Sequence, residues 1–170
     1  RYRMKIYCVM WRGPYSLDEI VSNDFADEDP NIIYILAGKR RYERGDNKIQ
    51  YIGISGQGAR ARLRCHHKAE HVRHDPTVWI GHIDKSDVER NDLELAESVL
   101  VYFSQPYLNE KKTSNAPKES SSVISRYYKK NGDVYKNQKS YLTMLPDVLM
   151  WSKEENKLFY ASKLASYDIE

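Results

Sequence analysis

The sequence predicts an α+β fold in a single domain of 170 residues, centred on a β-hairpin, helix, strand, helix run between two terminal additions. Three observations predict it. Two apolar runs, Ile32 to Leu36 and Ile49 to Ile54, are separated by a charged loop holding Gly38, Gly45 and Asp46-Asn47, the pattern of a hairpin with a long tip. Gly53, Gly56 and Gly58 then mark the exit from the second run, and a helix is expected from about Ala59 to Val72. Finally, Pro76 to Ile83 reads as a strand, and Leu93, Ala96, Leu100 and Phe103 mark the apolar face of a helix that runs to about Ser104 and ends at Pro106.

The flanks are read more coarsely. Met4 to Trp11 is a buried strand, broken by Gly13-Pro14. Ser16 with Glu19, and Ser86 with Glu89, form capping-box patterns that start helices. Residues 110 to 122 read as a loop, and Val123 to Tyr128 is ambiguous. Val148 to Trp151 and Leu158 to Ala161 flank Lys153-Glu154-Glu155-Asn156 and suggest a C-terminal hairpin. Residues 31 to 110 are thus the core, with 1 to 30 and 111 to 170 as elaborations.

Hydrophobic residues make up 41% of the chain, enough to bury a core at this length. No apolar run approaches the ~20 residues of a membrane span, so no membrane partner is expected. No signal-peptide pattern is read. The two cysteines, Cys8 and Cys65, exclude a disulfide framework and a four-cysteine zinc site, and a reducing cytoplasm is the default. Cys65, His66, His67, His71 and His74 lie close together, but no matching Cys/His pair elsewhere completes a tetrahedral zinc set.

The formal charge of +3 is unevenly spread. Asp24, Asp27, Glu28 and Asp29 form an acidic patch. Lys39, Arg40, Arg41, Arg44 and Lys48 crowd the hairpin tip, and Arg60, Arg62, Arg64 and Lys68 follow. Lys111, Lys112, Lys118, Arg126, Lys129, Lys130, Lys136 and Lys139 make a third basic stretch. Such runs suit solvated faces or a phosphate-contacting surface equally.

The chemistry-bearing residues recur in one order. Tyr34 and Tyr51 stand on the two paired strands. A phenol has a pKa near ~10 and needs a neighbouring cation before it takes a proton at neutral pH. Arg62 and His66 are four apart and share a helix face, where a guanidinium can grip phosphate oxygens; Arg60 is its rival. Glu97 lies near the buried stripe of the second long helix, so its carboxylate needs a cationic or hydrogen-bonding partner, Arg62 or a magnesium ion. Asn109 follows Pro106-Tyr107-Leu108, with an amide suited to a turn or to orienting a phosphate.

This set resembles the GIY-YIG nuclease superfamily. The two name-giving tripeptides look like Ile32-Ile33-Tyr34 and Tyr51-Ile52-Gly53, the family's Arg-x-x-x-His looks like Arg62 to His66, and its glutamate with a downstream Pro-x-x-Asn looks like Glu97 with Pro106 to Asn109. The last spacing is similar to that in the family's bacterial excision-repair subunit. Ile32 replaces the usual Gly, and Ile54 replaces a Lys common after the second motif, whose role would then fall to Lys39 or Lys48.

The resemblance implies a small three-stranded antiparallel sheet flanked by helices, and a Mg²⁺ or Mn²⁺ ion held by Glu97 with water and phosphate. It implies an endonuclease acting on DNA phosphodiesters, with Tyr34, Tyr51, Arg62, His66, Glu97 and Asn109 as site residues. The base is Tyr34 or Tyr51, aided by His66. Lys39, Arg40, Arg41, Arg44, Lys48, Arg60, Arg64, Lys111 and Lys112 are the expected DNA contacts. A site-specific restriction-type enzyme of a bacterial or phage cytoplasm, acting as a homodimer, heads the expectations. Structure-specific repair or mobile-element nucleases, an RNA nuclease, and a non-catalytic nucleic-acid-binding module are the alternatives.

Overall fold

In the computed structural model, which describes residues 3–138 and 145–164, the apolar run Ile32–Arg40 (β2) is buried on both faces from Ile32 to Gly38. A strand covered on both faces sits inside a sheet, not at its rim. On one side β2 pairs antiparallel with Lys48–Ser55 (β3), Tyr34 opposite Gly53 and Leu36 opposite Tyr51. On the other it pairs antiparallel with Val72–Ile83 (β4). The hairpin read from the sequence is therefore present, with the third strand beside it.

The sheet does not stop there. Lys5–Tyr15 (β1) lies antiparallel to β4, Val9 opposite Ile83, and Ser121–Tyr128 (β5) lies parallel to β1 in unbroken register from Lys5↔Ser121 to Arg12↔Tyr128. Val148–Ser152 (β6) and Lys157–Ala161 (β7) continue antiparallel. The result is one seven-stranded mixed sheet in the order β3-β2-β4-β1-β5-β6-β7. This corrects the expected fold class. The protein is mostly β, with few helices, and not a small three-stranded antiparallel sheet flanked by helices. The physical reason is β4: its second edge is paired by the N-terminal strand, which carries the pairing onward to the C-terminal strands.

Several local expectations are corrected too. Gly13-Pro14, joined by a cis peptide bond, does not end β1; the strand runs to Tyr15 with a register shift after Arg12. Val123 to Tyr128 belongs to a strand whose buried positions include Ser121, Ser122 and Ser125. Those serines are satisfied internally: Ser122 Oγ donates to the Leu149 carbonyl at 3.1 Å, and Ser125 Oγ accepts from Trp11 Nε1 at 3.1 Å. The helix expected over residues 59 to 72 is only Ala59–Leu63 (α2), followed by a 3₁₀ turn, His67–His71.

Helices cover both faces. Arg90–Ser104 (α3) packs Leu93, Ala96, Val99 and Leu100 onto the face that presents Ile33, Ile35, Ile52 and Ile54. Its capping box is Glu89 with Asp92, not Ser86 with Glu89. Asp92 is fixed there by Tyr7 Oη at 3.0 Å and Lys85 Nζ at 2.7 Å. Leu17–Val21 (α1), started by the expected Ser16–Glu19 box, and α2 cover the opposite face, with Ile32, Tyr34 and Leu36. Period-two alternation along β2 thus sends Tyr34 to the α2 side and its neighbours Ile33 and Ile35 to the α3 side. No helix among the described residues is long and apolar enough to cross a membrane.

Candidate active site

Tyr34 and Tyr51 reach the same face because both point to the α2 side of paired strands, two positions off register. Their ring centroids are 6.0 Å apart. Gly53, opposite Tyr34, leaves room for both: a Cβ there would fall on the Tyr34 hydroxyl and within 2.7 Å of the Tyr51 ring. This is the role of the glycine in the second motif.

Gly58, with φ +85°, turns the chain from β3 into α2. The first two amides of α2 are capped at long range: Ala59 N–H and Arg60 N–H donate to the two Asp27 carboxylate oxygens at 3.1 Å each. One member of the acidic patch is thereby a helix cap, and another, Asp29, pairs with His82 at 3.3 Å. Arg60 is spent on the same loop: its guanidinium donates to the carbonyls of Ser22, Asn23 and Phe25. Arg62 turns to the tyrosines instead.

Arg62 Nε donates to Tyr34 Oη at 3.2 Å, and Tyr34 Oη lies 2.7 Å from His66 Nε2, the two sharing one hydrogen. The His66 ring also meets Tyr51 edge-on at 4.9 Å between centroids. α2 is short because of this: the chain leaves the helix after Leu63, and the buried His66 ring enters the phenol pair. Desolvation, reinforced by the Arg62, His67 and Lys68 charges, lowers the His66 pKa to about 4, so the imidazole is neutral at physiological pH. Its Nδ1 is buried without a hydrogen-bond partner. Burial, reinforced by Tyr51 and opposed by Arg62, pushes the Tyr34 phenol well above its ordinary value, so Tyr34 stays protonated. Burial works against the charge on Arg62, but the Tyr34 and Tyr51 phenols outweigh it and raise its pKa.

Access separates the two phenols. Tyr34 is fully enclosed, whereas Tyr51 is half-buried and Arg62 is exposed. Asn109 joins from the strand edge: Ile52 N–H donates to its Oδ1 at 3.0 Å and its Nδ2 donates to the Ile52 carbonyl at 2.9 Å. The amide thus caps the open edge of β3 beside Tyr51, as a backbone strand would.

Glu97 is placed apart from this group. It lies on α3, which covers the opposite face of the sheet, and its partner is Lys112, with Nζ 2.6 Å from Oε2, not Arg62. Desolvation raises its pKa, with Lys112 opposing. Among the described residues no three His, Cys, Asp or Glu side chains gather into a metal set. One buried carboxylate that already takes a cation is compatible with a hard divalent ion that keeps most of its waters, provided Lys112 yields its place. The two groups are tethered, since Asn109 at β3 and Lys112 at Glu97 are three residues apart, a span of at most about 11 Å between their α-carbons.

The basic residues divide by exposure. Arg41, Arg44, Lys48, Arg64 and Lys111 are exposed, Lys39 and Arg40 are half-buried, and Lys112 is engaged by Glu97. Lys139 lies outside the described residues. Sequence reading put Asp27 in an acidic patch and Lys112 among the DNA contacts without their partners, the α2 amides and Glu97, and gave Tyr107 no role. Asp27 and Lys112 act through contacts far from them along the chain, and only the exposed aromatic beside Pro106 carried a local signal. No protein-family model matches this chain, and neither does any curated protein or solved structure.

Proposed function

We propose that this protein is a metal-dependent endonuclease that hydrolyses DNA phosphodiesters at specific sites, in the manner of a restriction enzyme. The observation that carries the reading is the union of Tyr34, Tyr51, Arg62 and His66 in one cluster, with Asn109 fastened to the strand beside it. These residues come together in the order of the GIY-YIG motifs they resemble. Arg62 presents an exposed guanidinium that binds the scissile phosphate and offsets the charge it gains in the transition state. Tyr34 holds Arg62 and His66 in place. Tyr51, the accessible phenol, positions the attacking water, and His66, enclosed against both phenols, holds them in place. Glu97 would hold a Mg²⁺ or Mn²⁺ ion once Lys112 yields its place, and such an ion would supply Lewis acidity to phosphodiester hydrolysis.

One observation favours a second reading, a nucleic-acid-binding module that does not cleave. Glu97 is neutralised by Lys112 and pairs with none of the phenol–guanidinium group. One experiment separates the two. Purified protein is incubated with plasmid DNA in Mg²⁺, with an EDTA control, beside Glu97→Gln. The nuclease reading expects discrete fragments from the wild type alone, and unchanged DNA binding by Glu97→Gln. An intact plasmid with retained binding refutes it in favour of the second.

A further inference from the structure

Two strongly exposed aromatic side chains lie at one end of the β2–β3 hairpin, each beneath an arginine. Tyr42 is 82% exposed and holds a left-handed backbone conformation, φ 68°. The Arg41 guanidinium carbon lies 4.8 Å from its ring centroid. Tyr107 is 70% exposed, and the Arg40 guanidinium carbon lies 3.4 Å from its ring centroid. A guanidinium resting on a phenol offers a flat π surface and a positive charge in one unit. Neither ring contributes to the core.

The turn that carries them is braced. Glu43, whose side chain is almost wholly covered, accepts from the Arg40 backbone N–H at 2.9 Å and from Gln50 Nε2 at 2.8 Å, and pairs with Lys48 at 3.8 Å. Buried Gln50 also donates to the Gly38 carbonyl at 2.9 Å. Glu43, which also takes the Arg40 guanidinium at 3.5 Å, is thus consumed inside the turn, while Arg41, Arg44 and Asp46 stay outside. The surface is continuous with the candidate site. From Lys48 at the turn to Tyr51 is three residues of β3, about 10 Å. Tyr107 precedes by two residues the asparagine clasped to Ile52.

We propose that the β2–β3 turn is a finger for duplex DNA, in which Tyr42 wedges into a base step while Arg41 and Arg44 neutralise the adjoining phosphates. The choice of duplex DNA rests on the nuclease reading above. The pairing of two exposed π faces with the exposed guanidiniums of Arg41 and Arg44 selects a partner that is both aromatic and anionic.

The test is Tyr42→Trp. The protein's three tryptophans, Trp11, Trp79 and Trp151, are all buried, so the introduced indole is the exposed reporter. Mixed-sequence duplex DNA is added in EDTA, where no cleavage occurs. The indole emission is expected to fall, and its accessibility to acrylamide to drop at least about fivefold. Tyr42→Ala should weaken duplex binding about tenfold, the size of one base–aromatic stack, while Tyr42→Phe stays within about twofold. Tyr160→Ala, which removes another exposed tyrosine on β7, should leave binding unchanged. An unprotected indole, full affinity in Tyr42→Ala, or equal losses at positions 42 and 160 would overturn the finger. Protection by single-stranded DNA or RNA alone would overturn the duplex assignment. Plasmid cleavage with an unprotected indole sinks the finger and spares the nuclease reading; a protected indole without cleavage does the reverse.

Discussion

Acid should destabilise this protein through one imidazole. His66 is buried between two phenols and beside Arg62, and its pKa falls from 6.5 to about 4 on folding. The unfolded chain therefore binds a proton at His66 that the folded chain refuses. Stability from this group is fully present above pH 6.5 and is lost as pH falls toward 4. The full shift corresponds to about 3 kcal/mol. Solvent screening on the open side of the site reduces that to about 2 kcal/mol, or roughly 4–8 °C in melting temperature for a chain of this size. The assay is urea unfolding of the wild type and of His66→Gln at pH 7.5, 6.5, 5.5 and 4.5. Carboxylates common to both proteins cancel in the difference. The two stability curves should converge by about 2 kcal/mol between pH 7.5 and 4.5, the wild type falling faster. Parallel curves would falsify the assignment of a neutral, enclosed imidazole.

Three further outcomes follow from the same geometry. Arg62→Ala should cut turnover by about 10²–10³ with a small change in melting temperature, whereas Arg60→Ala should lower stability by about 1–3 kcal/mol by freeing the carbonyls it holds, measured by cleavage kinetics beside thermal unfolding; the reverse pattern would exchange their roles. Asn109→Ala removes both hydrogen bonds to Ile52, and the Ile52 amide should then exchange with solvent about tenfold faster or more, read by hydrogen-exchange NMR. Lys112→Met should tighten Mn²⁺ binding by freeing the Glu97 carboxylate, detected by electron paramagnetic resonance of free Mn²⁺ without any DNA; unchanged binding would show that Glu97 holds no ion there.

The hairpin, the α1 capping box and the β6–β7 pair were legible because their signals are local: alternation, turn residues and a Ser-x-x-Glu spacing. Tyr34 and Tyr51 were legible as neighbours because strand pairing fixes them; the helix face expected to join Arg62 to His66 is absent, since α2 ends at Leu63, and His66 reaches the phenols from an extended residue after it. The sheet's full extent was not. β5 hides behind buried serines whose hydroxyls are satisfied by distant partners, and no local pattern announces a parallel pairing between the first strand and a segment beyond residue 120. The α3 cap was misplaced for a similar reason: Asp92 is chosen by Tyr7 and Lys85 from outside the helix. Glu97 was read correctly as a buried carboxylate in need of a cation, but the residue that answers it, Lys112, comes from a loop without a periodic signal.

β1 lies between β4 and β5, so the order of synthesis and the order of assembly run against each other. β1 is synthesised well before its parallel neighbour β5, which ends at Tyr128. Until that stretch has been translated, one rim of the nascent sheet stays bare, an invitation to wrong pairing. A shortened gene ending near residue 110 would keep every motif tyrosine and lose the seam that closes the sheet.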